Sequence, residues 1–324
     1  MKAIYCLDRT SFELIYGDDE RMSIAELVDV AYPLQDAFGI RETPGQFADV
    51  EIILSGWGGP ILDQSLLDAL PKLKLILYGA GSVKYMLTDE FWERNIKITS
   101  AYAGNAVPVV EFTLSQILFG LKNGWQQARL CREEKSFVRL PMAGGYGSTV
   151  GLVSMGMIGK MVAERLESFD LKIIAYDPFI QEYPGVEMVT LDTLFQRSDM
   201  VSLHTPWLKE TEGLIGRSLL RQMKPNATFL NTSRGAVVSE DELIDVLGER
   251  PDLTAVLDVT YPEPPLPESA LYTLPNVVLT PHIAGSVGPE CRRMGQIMVD
   301  ELRRFLAGDP LKYGISREKA AVMA

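Results

Sequence analysis

Three side chains in the second half of this chain could together do acid–base chemistry on an anionic carbonyl compound: Arg234, Glu263 and His282. Arginine's planar fork grips a carboxylate through two hydrogen bonds. A histidine exchanges protons near neutral pH, and a neighbouring glutamate would orient its ring and favour the charged, proton-donating form. Placed beside a nicotinamide, such a set implies hydride transfer to the carbonyl carbon of a 2-oxo acid. Proton transfer of this kind typically contributes roughly 10²- to 10⁴-fold in rate. Spacing alone equally allows a helix-capping arginine, a solvated glutamate and a histidine capping a strand.

A second constellation concerns a cofactor. Ser154-Met155-Gly156-Met157-Ile158-Gly159 follows a Val/Leu-rich run and precedes a helical stripe. At such a turn Gly156 would let a pyrophosphate approach the backbone, Gly159 would let the helix pack on its strand, and the N–H groups of Met157 and Ile158 would meet the anion. Asp177 stands 21 residues beyond Gly156, where a carboxylate accepts hydrogen bonds from the adenosine ribose. The same charge would repel a 2′-phosphate, so NAD is expected in preference to NADP. The alternative is a plain strand-to-helix turn with an acid in the next loop.

The elements that must position these residues form a regular series. Apolar runs TVGLVS, KIIAYD, DMVSLH, ATFLNT, LTAVLD and NVVLTP start 23, 27, 28, 26 and 23 residues apart. Each interval holds one strand, one helix and two short loops, which predicts a parallel sheet. Ile158, Val162, Leu166 and Phe169 mark the apolar stripe of the first helix. Six such units suit a doubly wound dinucleotide-binding domain, where ligands bind beyond the carboxyl ends of the strands. Asp177, His204-Thr205-Pro206, Thr232-Ser233-Arg234, Asp258 and His282 all fall at such ends. His204 reads as a structural or cofactor-packing residue.

Residues 1–100 repeat the α/β theme through KAIYCL, EIILS, KLILYG and IKITS, with helices near Ser23–Ala31 and Ser65–Ala69. Two longer helices are predicted. One runs from Asn105 as cap to Lys122, with Pro108 in its first turn, and the other from Pro289 to Ala307, stopped by Gly308. The expected division is a substrate domain of residues 1–101 and 287–324 around an NAD-binding domain of 102–286. Trp57 could line a substrate pocket or pack locally. Met155 and Met157 read as gap-filling apolar residues.

The 324 residues carry a net charge of −12 and are 47% hydrophobic. An acidic surface without any Lys/Arg run longer than two disfavours nucleic acid and anionic membranes. The uncharged stretch Leu140–Gly159 contains six glycines and a proline, and Ser269–Pro289 contains three prolines, so neither is read as a membrane span. Three scattered cysteines and two histidines predict reduced thiols, no zinc site and a cytoplasmic location. The early charges of the N-terminus are unlike a signal peptide.

At these residues the chain resembles the D-isomer-specific 2-hydroxyacid dehydrogenase family. The matching runs are TVGLVSMGMIG, the YDP around Asp177, VSLHTPWLKETEGLI, FLNTSRGAVVSEDEL, AVLDVTYPEPP and TPHIAG, and more loosely LILYGAGSV and NAVPVVEFTLSQIL. The resemblance implies catalytic roles for Arg234, Glu263 and His282. It implies cofactor contacts at Met157, Ile158, Asp177, Thr205, Pro206, Thr211, Thr232, Ser233 and Asp258, the last holding the nicotinamide carboxamide, and adds Gly285 at the end of TPHIAG. Backbone N–H groups of Ala80 and Gly81 would hold the substrate carboxylate.

It further implies a Rossmann nucleotide domain, a smaller flavodoxin-like substrate domain built from both chain ends, a hinged cleft and a homodimer. Three departures stand out: Ser154 at the first fingerprint glycine, Met157 where arginine is common, and Gly81-Ser82-Val83-Lys84 in place of Gly-Val-Asp-Asn. No regulatory domain is expected after residue 324, which disfavours a feedback-controlled phosphoglycerate dehydrogenase. A dimeric NAD-sensing protein without turnover is the rival reading; formate oxidation fits less well, since glutamine is expected there at the position of Glu263.

Overall fold

The computed structural model describes residues 1–323, which divide into two compact units: residues 1–107 with 286–323, and residues 108–285. In chain order the first unit begins with β1 (Lys2–Tyr5), α1 (Arg9–Ile15), α2 (Asp18–Leu27), β2 (Asp29–Val30), α3 (Ala37–Glu42), β3 (Ile52–Ser55), α4 (Gln64–Ala69), β4 (Leu75–Tyr78), α5 (Asp89–Trp92) and β5 (Lys97–Ser100). Aspartate caps start three of these helices, with Asp8, Asp36 and Asp63 each accepting a first-turn backbone N–H. All five strands are parallel, in the order β2-β1-β3-β4-β5, the flavodoxin-like arrangement. One apolar cluster covers each face, one centred on Ile4, Ile53 and Ile76 and the other on Ala3, Leu54 and Leu77.

The helix α6 (Tyr102–Gly120) contains the boundary between the units, and α7 (Gly124–Glu133) follows. The second unit then runs β6 (Thr149–Val153), α8 (Met157–Leu166), β7 (Lys172–Tyr176), β8 (Glu187–Met188), α9 (Leu191–Arg197), β9 (Met200–Leu203), α10 (Arg217–Arg221), β10 (Thr228–Asn231), α11 (Glu240–Glu249), β11 (Thr254–Leu257) and β12 (Val277–Leu279). Its seven strands are parallel in the order β12-β11-β10-β9-β6-β7-β8. Strand order reverses between β6 and β9, which makes that carboxyl-end crevice the topological switch point. The chain returns to the first unit through α12 (Cys291–Ala307) and α13 (Arg317–Val322). Buried Glu301 of α12 ties this return down, accepting from Thr99 Oγ1 at 2.8 Å and from the amides of Lys312 and Tyr313, both at 3.0 Å.

All ten predicted strands are present, and Gly308 ends α12 in the left-handed conformation (φ 80°). Several local readings need correction. The helix read at Ser23–Ala31 ends at Leu27, because residues 29–30 pair with β1 as an edge strand. β8 is a second short edge strand with no signal in its two residues. The helix read from Asn105 begins at Tyr102, whose amide bonds Ser100 Oγ at 3.2 Å. Ala101 precedes the helix and its carbonyl accepts from Asn105 N at 3.1 Å, Pro108 lies in the helix interior, and the Asn105 side chain instead accepts from Ser286 N at 2.9 Å. Phe169 falls beyond α8 and is exposed, so the stripe ends at Leu166. Met155 is fully buried as expected, but Met157 is 43% exposed and fills no gap.

Candidate active site

In the second unit every strand delivers its following residue to one rim, because all seven run parallel. The glycine turn follows β6. Ser154 holds φ 76° there, a left-handed conformation that costs most residues roughly 1–2 kcal/mol. Its hydroxyl lies 2.8 Å from Thr205 Oγ1 across the switch point. A Cβ on Gly159 would sit 2.2 Å from the Ser154 carbonyl oxygen, so only glycine lets α8 start this close to its strand. A Cβ on Gly156 would meet nothing within 4 Å. Space is thus open beside Gly156, immediately before the first turn of α8, and a glycine at a helix start fits the pyrophosphate of a dinucleotide.

The neighbouring strand ends are rich in internal hydrogen bonds. Asp177 accepts from Met155 N at 2.8 Å, Phe179 N at 2.9 Å and Ile180 N at 3.2 Å, so its carboxylate also shapes the glycine turn. His204 bonds Ser202 Oγ through Nε2 at 3.0 Å, while its Nδ1 is shut off from solvent without a partner. Burial pushes this histidine down to about 4. Thr211 closes the turn after Pro206, donating to Pro206 O at 2.6 Å. Thr232 Oγ1 lies 3.0 Å from Thr113 Oγ1, and Ser233 donates its amide and hydroxyl to Asn231 Oδ1. Gly285 is the last residue of this unit.

Arg234, Glu263 and His282 come together on this rim. Glu263 Oε1 lies 2.6 Å from His282 Nδ1, with both side chains about half exposed. Burial lowers the Arg234 pKa from its ordinary value, and the Glu263 charge pulls it back up; a guanidinium stays charged at neutral pH even so. Arg234 Nη1 donates to Ser233 O at 2.6 Å, and Asn231 Nδ2 donates to Arg234 O at 3.0 Å. Gly235 lies against the next loop, where its Cβ would stand 1.9 Å from the Thr260 carbonyl carbon.

His282 itself holds φ 53°. Strain of this kind persists only where the surroundings over-determine the backbone, and Asp258 does so here. Its carbonyl accepts from His282 N at 3.0 Å. Its buried carboxylate accepts from Thr280 Oγ1 at 2.6 Å, Ile283 N at 2.9 Å and Ala284 N at 2.8 Å.

The residues expected to hold substrate in the first unit follow β3 and β4. Ala80 is buried and Gly81 half-buried; their carbonyls share the single Ser100 hydroxyl proton, with Oγ 2.8 Å from Ala80 O and 2.5 Å from Gly81 O. Neither of their amides donates to another described residue. Trp57 is partly buried and packs against both apolar clusters of this unit.

Sequence reasoning did not single out Asn231, Thr280 or Glu240 as supports of these loops. Asn231 and Thr280 stand at strand ends beside candidates. Glu240, whose Oε2 accepts from Tyr261 N at 3.2 Å, is 21 residues away and carries no such signal. Among the described residues no group of three or more His, Cys, Asp and Glu is placed to hold a metal ion, and no helix is long and apolar enough to cross a membrane.

Residues 115–284 match the family described as D-isomer specific 2-hydroxyacid dehydrogenase, NAD binding domain. The D-3-phosphoglycerate dehydrogenase of Archaeoglobus fulgidus is 30% identical over 263 residues, covering 79% of this chain and 49% of the relative. The chain thus spans about half the length of the phosphoglycerate dehydrogenases it matches. The glyoxylate reductase of Thermofilum pendens is 35% identical over 258 residues, 76% of each chain. In fold, the NAD-complexed D-isomer specific 2-hydroxyacid dehydrogenase of Lactobacillus delbrueckii ssp. bulgaricus superposes with a TM-score of 0.78 at 23% identity, covering 98% of this chain and all of that one.

Proposed function

Since this chain belongs to the D-isomer specific 2-hydroxyacid dehydrogenase family, we propose that it interconverts a D-2-hydroxyacid and its 2-oxo acid, with His282 as general acid/base and NAD(H) as cofactor. The observation that carries the reading is the 2.6 Å contact between Glu263 Oε1 and His282 Nδ1, within reach of the Arg234 charge. A bound NADH would supply the hydride that adds to C2.

The protein's own residues do the rest. Arg234 pairs with the substrate carboxylate and turns the carbonyl toward the histidine. The amides of Ala80 and Gly81 are proposed as further carboxylate donors. Because Glu263 occupies Nδ1, Nε2 is the ring nitrogen left to protonate the forming alkoxide. His282 is exposed enough to regain its proton from solvent. Asp258 keeps the histidine's loop in its strained conformation.

Asp177 supports NAD over NADP, since a ribose 2′-phosphate there would meet a carboxylate already fixed in place. Phe137 and Tyr146, 98% and 89% exposed between α7 and β6, support a homodimer formed through this region; sedimentation would report it.

The deciding experiment is NADH oxidation by the purified protein across 2-oxo acids of increasing size. A preferred acid is expected. His282→Ala should lower turnover at least about 10²-fold while NADH affinity is retained. Normal turnover in that variant overturns the assignment, and saturable NADH binding with no acid reduced overturns the reaction.

A further inference from the structure

Glu263 sits on a loop anchored before it by buried Val259 and by the Tyr261 ring, which packs edge-on against Trp207 at 5.1 Å, and after it by Tyr272 Oη donating to Pro265 O at 3.2 Å. The loop leaves β11, passes Asp258, and reaches Glu263 through Val259, Thr260, Tyr261 and Pro262. Thr260 Oγ1 donates to Pro262 O at 2.8 Å, a bond inside the loop that fixes its shape but not its place. Two contacts reach it from the segment that follows Arg234. One is the close backbone approach of Gly235 to Thr260. The other is Glu240, the first residue of α11, whose half-buried carboxylate accepts from Tyr261 N. Glu240 therefore joins the helix after the arginine loop to the residue two places before Glu263.

We propose that Glu240 is a positioning residue for Glu263: it holds the Tyr261 amide, and so fixes the carboxylate of Glu263 against His282 Nδ1. The proposal rests on the reading of His282 as the acid/base. Glu240 touches neither Arg234 nor His282 through any hydrogen bond among the described residues, so its effect must travel through the loop.

The test compares Glu240→Ala with Glu240→Gln, whose amide oxygen can still accept from Tyr261 N–H. Loss of one hydrogen bond of this kind predicts kcat lower by about three- to tenfold in Glu240→Ala. KM for the oxo acid and NADH affinity should stay near wild type, Glu240→Gln should restore kcat, and the alanine effect should vanish in a Glu263→Gln background. Equal damage from both substitutions, or an undiminished alanine effect in that background, overturns the proposal.

A readout independent of turnover is the His282 ring resonance, which NMR resolves because the chain has only two histidines. It should shift in Glu240→Ala and return in Glu240→Gln, even if no oxo acid proves to be a substrate. An unmoved resonance in a folded Glu240→Ala protein also overturns the proposal. Should Glu240→Ala not fold, Glu240→Ser makes the same deletion with a smaller disturbance.

Discussion

Lowering the pH from 7 to 4 should remove about 3 kcal/mol of stability through His204 alone. The residue reaches the surface in part, but the nitrogens are what titrate, and Nδ1 has neither solvent nor partner. Burial holds the folded-state pKa down at about 4, against roughly 6.5 in an unfolded chain. Between those values the unfolded chain binds a proton that the folded protein refuses. The stabilisation is therefore complete above about pH 6.5 and is lost as pH falls toward 4, at about 1.4 kcal/mol per pH unit.

Carboxylates titrate in part of the same window, so the measurement is a difference. Urea unfolding of wild type and His204→Gln is compared at pH 7, 6, 5 and 4. The gap between them should change by about 3 kcal/mol across the series, with wild type losing more. NMR gives a direct check, since His204→Gln removes one of only two histidine ring signals and so assigns it. That signal should keep its neutral-form position down to about pH 5. A midpoint near 6.5, or stability curves that run parallel, would refute the reasoning.

Gly235→Ala should cost about 3 kcal/mol or more, because its Cβ would overlap the Thr260 backbone; a melting temperature lower by about 6–12 °C is expected by calorimetry. Asp258→Asn replaces a carboxylate that accepts from one hydroxyl and two amides with a group that cannot accept at both positions. Stability should fall by about 2 kcal/mol, and the His282 ring signal should broaden as its loop loosens. Asp177→Ser should narrow the ratio of NAD to NADP affinity measured by fluorescence titration, and should weaken NAD itself because Met155, Phe179 and Ile180 lose their acceptor; an unchanged ratio would remove Asp177 from cofactor choice.

Much of the fold was legible in the residues themselves. Runs such as TVGLVS and ATFLNT are apolar on both faces and recur at a strand-plus-helix interval, and only a covered parallel sheet satisfies that pattern. Gly159 and Gly308 were readable because a close approach and a left-handed cap each admit little besides glycine. The edge strands β2 and β8 were not, since two residues carry no period and pair only because a neighbour is there. The start of α6 is hidden for a related reason: Asn105 and Pro108 look like cap and first turn, but Ser100 offers the amide of Tyr102 an earlier acceptor.

For the site, the sequence by itself determined residue types and the rim they share, because strand direction sets which ends carry loops. It named Arg234, Glu263 and His282 without measuring any distance between them. Tertiary structure alone decided that Glu263 and His282, 19 residues apart, meet at 2.6 Å. It also decided that Asp258 is spent on the loop beneath His282, that Glu240 reaches Tyr261, and that His204 Nδ1 is left without a partner. Those outcomes depend on which loops lie side by side once the sheet has formed, and hydrogen bonds between loops from different strands leave no periodicity in the chain.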